Sequence, residues 1–373
     1  GVEAAAKKRT TVQQAPAIIT VITHEDIRNR GFRTLNDVLR TIPGFEGDRW
    51  QYNGWYKESL TRGIPRTVLV LLDGVNVVDP MQNAAALDRR IPLNSVKRVE
   101  ITSGPGGVLW GSNALLGVIN VITFDGASQR GGKINLGGGD GSGARGTAKV
   151  NASYGNTFLN EWLDVYLSAS YYTSKGPELR VGTQNVLGPL PQPAADGTTI
   201  MIPQPFQTNP YDRDHYLNVT GNMRMGPVRL GLSSSWDREF REISSGGEVL
   251  TQDYRSNPDE SIGAEKLVSK QQRHMHTLQI KYANRFAQEQ FGASAMAHAT
   301  YWKFDDDPLG VFPRSNLLPR GATTSLVVDH VLRTGLNLDF DAYLPANHHI
   351  LFGGEVFSDL SSPTRLTSFD PRS

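Results

Sequence analysis

Hydrophobic and polar positions follow two different patterns along the chain, and the change between them falls near residue 128. Before this point, short hydrophobic runs alternate with helix and turn signals. Thr23 with Asp26, and Thr34 with Asp37, form capping-box patterns that each predict the start of a short helix. These signals predict a compact α+β domain.

A β-hairpin and two further strands complete this first region. Thr67–Leu72 and Val75–Val78 are hydrophobic runs separated by Asp73–Gly74, and Asp-Gly supplies the positive φ angles of a type I′ turn. Arg98–Thr102 and Val118–Thr123 are predicted strands on either side of a glycine-rich stretch.

Beyond residue 128, hydrophobic residues recur at every second position over long segments. Between Leu163 and Tyr171 the odd-numbered residues are apolar, whereas Asp164, Tyr166 and Ser168 fall on the other face. An apolar face with aromatic ends opposite a polar face is typical of a strand between lipid and a wet lumen. A water-soluble sandwich is the alternative on this pattern alone.

The same two-residue period predicts about nine strands in this second region. Their approximate positions are 131–139, 143–155, 159–173, 211–225, 227–240, 271–286, 289–304, 322–343 and 348–359. Long excursions such as 174–210 alternate with tight joints such as 224–227, as expected for a barrel with one rim outside and one in the periplasm.

Composition excludes several function classes. The 38 lysines and arginines balance 37 acids and are dispersed, so a nucleic-acid partner is not expected. The chain has no cysteine, which removes disulfides and thiolate chemistry and suits an oxidising periplasm. Catalytic motifs such as Gly-x-Ser-x-Gly and His-Glu-x-x-His are absent, so we expect neither an enzyme nor a cofactor. His274 and His276 share a strand face, but we interpret them as barrel-surface residues and predict no metal site.

Three ordered sequence blocks carry a family resemblance. They read APAIITVITHEDIRNRGFRTLNDVLRTIPGF, LTRGIPRTVLVLLDGVNV and IPLNSVKRVEITSGPGGVLWGSNALLGVINVIT. Together they resemble the plug of TonB-dependent outer-membrane receptors. The resemblance implies an α+β plug domain followed by an antiparallel transmembrane β-barrel, in the outer membrane of a Gram-negative bacterium. It divides the chain into a tail at 1–15, a plug at 16–128 and barrel strands at 129–373.

The resemblance also implies where ligand would bind. In this family the cargo meets the outward loops of the plug, and the aromatic side chains beside an arginine could stack on a planar anionic ligand. The matching residues are Arg49, Trp50, Tyr52, Trp55, Tyr56, Met81, Gln82 and Asn83. A loop packed against the barrel wall is the alternative for these residues.

Two further sets of residues follow from the resemblance. A periplasmic TonB-type energy-coupling protein would add a strand to the segment before the plug, whose remnant is Val2, Glu3, Ala4, Ala5 and Ala6. An ordinary flexible tail is the alternative there. Arg62 and Glu100 are candidates to latch the plug to the barrel. Ser103 stands where the family usually has an arginine that helps to latch the plug, so we do not expect that latch contact in this chain.

Size indicates that the barrel is incomplete. About eight strands close a barrel that its own side chains fill, whereas plugged transporters need about 22. Nine predicted strands therefore imply a fragment, or a barrel completed by a further segment. The leading hypothesis is active import of a small ligand such as a metal chelate or siderophore, with outer-membrane lipid around the barrel. The alternative is a plugged barrel without transport, serving as a structural or surface-binding component of an envelope assembly.

Overall fold

The computed structural model describes most of the predicted elements. It describes residues 18–50, 57–65, 67–80, 83–85, 87–104, 114–140, 146–174, 179–181, 190–193, 199–202, 206–208, 214–240, 270–286, 290–306, 323–327, 330–344, 348–363 and 365–369. Among these residues, none of the helices has the length and apolar character needed to cross a bilayer.

The N-terminal domain, residues 18–123, is built on a five-stranded sheet with the order β1-β9-β10-β5-β6. Strands β1 and β9 pair antiparallel, as do β9 and β10, whereas β10 and β5 run parallel. The strands of this domain are β1 (Ile18–Thr23), β2 (Phe45–Trp50), β3 (Lys57–Thr61), β4 (Ile64–Pro65), β5 (Val68–Leu72), β6 (Val75–Asn76), β7 (Val78–Asp79), β8 (Ala84–Ala85), β9 (Val96–Ser103) and β10 (Gly117–Thr123).

Two short helices follow β1, and both predicted capping boxes are confirmed. In α1 (His24–Asn29) the Thr23 side chain accepts from the Asp26 backbone N–H, and the Asp26 carboxylate accepts from the Thr23 N–H. Thr34 and Asp37 repeat this exchange at the start of α2 (Leu35–Leu39). These reciprocal bonds satisfy donors that the first turn of a helix leaves open.

The predicted hairpin turn is also confirmed. Asp73 and Gly74 both have positive φ angles, 49° and 90°, as a type I′ turn requires. The Asp73 carboxylate then accepts from the Thr123 backbone N–H at 3.0 Å, which joins the turn to the end of β10.

A second, nine-stranded antiparallel sheet, which we call the wall, follows the N-terminal domain. Its strands are β11 (Gly131–Gly139), β12 (Thr147–Phe158), β13 (Leu163–Ser174), β18 (Asp214–Met225), β19 (Val228–Phe240), β20 (Lys270–Phe286), β21 (Phe291–Asp306), β23 (His330–Leu344) and β24 (His348–Ser361). Short pairs lie between them: β14 (Leu179–Val181) with β17 (Phe206–Thr208), β15 (Leu190–Pro193) with β16 (Thr199–Ile202), and β22 (Thr323–Val327) with β25 (Arg365–Phe369).

The nine predicted segments correspond to these nine wall strands, although many of their ends differ by one to four residues and the eighth segment is divided. The third strand starts at Leu163 instead of residue 159, because Leu159, Asn160 and Glu161 take positive φ angles of 52°, 54° and 66° and form the turn. The eighth segment is divided, since β22 pairs with β25 outside the wall and only β23 belongs to the wall. Period-2 alternation alone does not reveal such a break.

The predicted orientation of the wall strands is confirmed. In β13, Asp164 and Ser168 are only 2% and 3% exposed, whereas Leu167 is 54% exposed. In β21, Phe291 and Tyr301 lie ten positions apart on the outward face. At about 3.4 Å per residue on strands tilted by about 40°, this separates them by roughly 26 Å along the barrel axis, close to the height of an outer-membrane apolar band.

The N-terminal domain packs against the buried face of the wall. Its hydrophobic core includes Leu35, Val99 and Ile119 and extends into wall residues. The wall residues in this core are Met275, Trp302, Phe304 and Val331. The inner face of the wall is therefore mostly polar. Its four core residues form an apolar patch, which we call the apolar island, and through it the two domains share one hydrophobic core.

We predict that a charge on the outward face destabilises the protein according to its depth. In the complete protein in phosphatidylcholine vesicles, Ile280→Arg should lower the free energy of unfolding by about 2–4 kcal/mol, because Ile280 is exposed on the outward face and pairs with Ala297, about midway between Phe291 and Tyr301. Leu344→Arg, at the end of β23, should cost only about 0–1 kcal/mol. Denaturant titration measures both, and equal losses would contradict the assigned lipid-facing surface.

Candidate functional site at the interface between the N-terminal domain and the wall

The two rims of the wall differ in how its strands are joined. At one rim the joints are short: residues 159–162, 226–227, 287–290 and 345–347. At the other rim, successive wall strands are separated by 140–146, 175–213, 241–269 and 307–329. Outer-membrane barrels have short periplasmic turns and long external connections. The short-joint rim is therefore periplasmic, and the other is the outer rim.

Near the outer rim, Arg333 connects the wall to the N-terminal domain. Its guanidinium makes paired bonds to the Asp359 carboxylate, with Nε to Oδ1 at 2.7 Å and Nη2 to Oδ2 at 2.8 Å. The remaining Nη1 donates to the backbone carbonyl of Val78 at 3.3 Å. The wall thus holds the β7 strand, which leads into the second predicted ligand loop.

A buried charge cluster lies where the N-terminal domain meets β19 and β20. The Arg90 guanidinium contacts both carboxylate oxygens of Asp88, with Nε at 3.0 Å from each. Asp237 and Arg273 are direct cross-strand partners in the wall, and the charges of Asp88 and Arg90 act on the Asp237 carboxylate. All four side chains are at least nine-tenths buried. Two acidic and two basic side chains, one of each kind from each domain, therefore meet in a desolvated contact.

Two polar residues on one wall strand hold successive parts of the N-terminal domain. In β18, Asn218 donates to the Arg89 carbonyl at 3.1 Å, while the Arg89 guanidinium lies 3.7 Å from the ring centre of Tyr172. Asn222, farther toward the periplasmic rim, donates to Thr123 Oγ1 at 2.6 Å and to the Phe124 carbonyl at 2.7 Å. The inward-facing amides of Asn218 and Asn222 thus bind the N-terminal domain at two levels between the outer and the periplasmic rim.

The connection into the wall is clamped by one buried carboxylate. Asp164 accepts from the backbone N–H of Gly126 at 2.6 Å and of Ala127 at 2.9 Å. A Cβ built on Gly126 would lie 2.2 Å from the Asn156 carbonyl oxygen and 2.4 Å from that of Val165. Only glycine fits there, so the linker backbone lies directly on the wall backbone.

A second carboxylate in the linker joins the domains near the periplasmic rim. Asp125 Oδ2 lies 3.2 Å from Lys97 Nζ in the N-terminal domain and 3.9 Å from Arg229 Nη2 in the wall. Burial alone would raise the pKa of the Asp125 carboxyl, but hydrogen bonds from Ser128 and the charge of Lys97 outweigh burial and lower the pKa. The ionised form is thus the one that the fold stabilises.

The ligand-contact residues proposed from sequence lie mostly outside the described residues. Arg49 and Trp50 belong to β2, but their side chains are outside the described set, as are Tyr52, Trp55, Tyr56, Met81 and Gln82. Asn83 is described: it has a φ of 55°, and its N–H donates to the Asp79 carbonyl at 2.8 Å. Val2, Glu3, Ala4, Ala5 and Ala6, the proposed partner segment, also lie outside.

The two latch candidates occupy different settings. Arg62 is exposed, has a φ of 51°, and donates its backbone N–H to the Gly44 carbonyl at 2.8 Å. Glu100 is fully buried in β9 and accepts from Arg98 Nε at 2.8 Å. Sequence reasoning missed Asp88, Arg90 and Arg333. For Arg333 the available signal was charge on the inward face of a predicted strand, which does not identify the partner. Asp88 and Arg90 lie between strands, where strand alternation gives no signal.

Comparisons with known proteins agree with this arrangement. Residues 11–118 match the family model of the TonB-dependent receptor plug domain. The vitamin B12 transporter BtuB of Vibrio vulnificus is 39% identical over 127 residues, which cover 33% of this chain and 20% of that protein. An iron-regulated outer membrane virulence protein of Vibrio cholerae is 32% identical over 132 residues, or 34% of this chain and 20% of that one.

Solved structures extend the likeness to the wall. The pyoverdine outer membrane receptor FpvA of Pseudomonas aeruginosa has a TM-score of 0.64 at 14% identity, covering 95% of this chain and 48% of that one. The ferric enterobactin receptor PfeA of the same species gives 0.61 at 16%, covering 93% and 49%. Residues 11–118 therefore form a plug domain of the TonB-dependent receptor type, and the fold of the chain resembles that of TonB-dependent outer-membrane receptors. The chain spans about half the length of these structures. We now call its N-terminal domain the plug, and the wall is part of a barrel around the plug.

We predict that Asp164 is a principal anchor of the plug linker. Asp164→Ala removes the acceptor of two backbone N–H groups and should lower the free energy of unfolding by roughly 3 kcal/mol. Glu161→Ala, which breaks only the exposed pair with Arg130, should cost less than about 1 kcal/mol. Denaturant unfolding compares the two variants. Similar small losses would mean that the linker is held elsewhere.

A pH dependence follows from the lowered pKa of Asp125. Its stabilising contribution should be complete above the ordinary aspartate pKa of about 4 and lost as pH falls through the lower pKa of the folded state. The difference in melting temperature between wild type and Asp125→Asn should therefore shrink on acidification. A difference that is constant from neutral pH to the lowest pH at which the protein folds would contradict this.

Proposed function

We propose that this receptor actively imports a small external ligand, driven by a periplasmic TonB-type partner that pulls on the segment before β1. The observation that supports this most is the unequal attachment of the two ends of the plug. At the C-terminal end, Asp164, Asn222 and Asp125 all join the linker region to the wall or to the plug. At the N-terminal end, β1 is the edge strand of its sheet among the described residues and pairs there with β9.

Because of this asymmetry, a pull on the segment before β1 would act first on the pairing between β1 and β9. The register of β1 against β9 runs from Ile18 opposite Ser103 to Thr23 opposite Arg98. Tension on the residues before Ile18 would load this pairing first, while the clamped linker keeps the plug attached. We propose Val2, Glu3, Ala4, Ala5 and Ala6 as the segment that adds a strand to the partner, a mode that uses main-chain hydrogen bonds.

The ligand class that we propose is a metal chelate. The named relatives and structural neighbours are a vitamin B12 transporter and receptors for pyoverdine and ferric enterobactin. The proposed contact residues are Arg49, Trp50, Tyr52, Trp55, Tyr56, Met81, Gln82 and Asn83. The position of Asn83 supports this assignment. Asn83 follows β7, and Arg333 bonds β7 near the outer rim, where an external ligand would arrive. Arg62 and Glu100 remain proposed latch residues.

An engineered disulfide tests the pulling mechanism without a background thiol, because the chain has no cysteine. Ile19 and Thr102 are directly opposite on β1 and β9, at a spacing that a disulfide can bridge. In the complete receptor, oxidised Ile19→Cys/Thr102→Cys should keep ligand binding but lose uptake of radiolabelled cyanocobalamin, ferric pyoverdine or ferric enterobactin. Reduction should restore uptake.

The matched control places the same bond within the wall. Ser168 and Thr220 are opposite on β13 and β18, and Ser168→Cys/Thr220→Cys should import equally in both redox states. Full uptake through the oxidised β1–β9 bond would contradict pulling on β1. Binding without uptake in any redox state would favour the non-transporting alternative, and absence of binding would reject the proposed ligand class.

A further inference from the structure

A row of basic and aromatic side chains crosses the outward face of the wall near its outer rim. Trp236 is opposite His274, His274 is opposite Lys303, and Lys303 is opposite His330. These four residues lie on four neighbouring strands. At about 4.8 Å between strands, the row is roughly 15 Å long. We call Trp236, His274, Lys303 and His330 the outer row.

Strand alternation places the outer row on the surface away from the plug. The sequence neighbours Met275, Trp302 and Val331 are buried in the core shared with the plug. Successive side chains of a strand point to opposite faces, so His274, Lys303 and His330 point outward. Trp236 itself is 39% exposed.

A second line of rings supports the outer row. His276 stacks on Tyr301 with ring centres 6.2 Å apart, and Tyr301 stacks on His330 at 5.8 Å. The Trp236 and His276 rings lie 4.9 Å apart. These contacts hold the imidazoles in a continuous layer, so several N–H donors lie close together on one surface.

The outer row borders an apolar surface on its periplasmic side. The exposed apolar residues there are Leu278 and Ile280 on β20 and Leu336 and Leu338 on β23. The opposite rim has a different character, since its exposed outward side chains include Phe158, Trp162, Phe286 and Phe291. On the outward face, the basic side chains of the outer row therefore lie at the outer-leaflet boundary of the apolar band, whereas phenylalanine and tryptophan side chains lie at the periplasmic boundary.

We propose that the outer row binds the phosphate group of an anionic lipid in the outer leaflet, with the acyl chains on the apolar surface below. Lys303 supplies a fixed positive charge, and an imidazole beside a phosphate can donate N–H bonds and take up a proton. Trp236 and Tyr301 have the amphipathic character of residues at a membrane interface.

Continuity with the apolar band favours a lipid over a soluble anion. A free phosphate would contact only the outer row, whereas a lipid phosphate also places its chains on Leu278, Ile280 and Leu336. Electrostatic attraction to an anionic headgroup and burial of apolar surface then act together. This inference depends on the outer-membrane location and not on import.

Native mass spectrometry of the complete receptor tests the proposal. The probes are lipid A with both phosphates, the same lipid with its phosphates removed, and inorganic phosphate. Wild type should retain the phosphorylated lipid. His274→Gln/Lys303→Gln/His330→Gln should reduce the bound fraction by at least about tenfold, because three cationic or proton-accepting groups are removed from the headgroup site.

The control removes an outward-facing histidine at the opposite rim. His348 lies at the periplasmic end of β24 opposite the exposed Leu344, and His348→Gln should keep binding within about twofold of wild type. Circular dichroism and melting verify that both variants fold. Equal retention of the dephosphorylated lipid, equal loss in the two variants, or stable retention of inorganic phosphate alone would overturn the proposal.

Discussion

The structure depends on polar side chains of the wall that are buried only because the plug covers them. Asp164, Asn222 and Arg333 each direct their polar atoms at backbone groups of the plug or its linker. A buried polar group without a partner is costly, and each of these bonds satisfies groups on both sides. The plug therefore supplies hydrogen-bond partners for the inner face of the wall, and the wall supplies partners for backbone groups of the plug and its linker.

The two kinds of contact respond differently to movement of the plug. Polar groups that lose a protein partner in a wet lumen can exchange it for water, so each such bond contributes a modest net free energy. The apolar island of Met275, Trp302, Phe304 and Val331 has no such substitute, since it would be exposed to water. The island and the Asp88–Arg90 cluster meet the outer halves of β19, β20, β21 and β23 and should therefore resist displacement longest. The edge strand β1, by contrast, pairs with β9 in its sheet and contributes Ile22 to the core.

Local signals in the sequence predicted much of this architecture. The capping boxes at Thr23 and Thr34 and the Asp73–Gly74 turn depend on residues a few positions apart, so they could be read directly. Two-residue alternation predicted the wall strands and which face is buried. The contacts at the interface could not be predicted in this way, because Arg333 meets Val78 across 255 positions and Asp164 meets Gly126 across 38. Proposed ligand residues such as Trp55 remain predictions from the family resemblance.

Site-directed spin labelling along β13 tests the central claim that one face of the wall meets lipid and the other meets the plug. Single cysteines at successive positions from Leu163 to Tyr171 can be labelled without interference, because the chain has no other cysteine. In vesicles, accessibility to oxygen should peak at the odd-numbered positions and be lowest at Asp164, Tyr166, Ser168 and Ser170. Peaks at the even-numbered positions, or no alternation, would contradict the account.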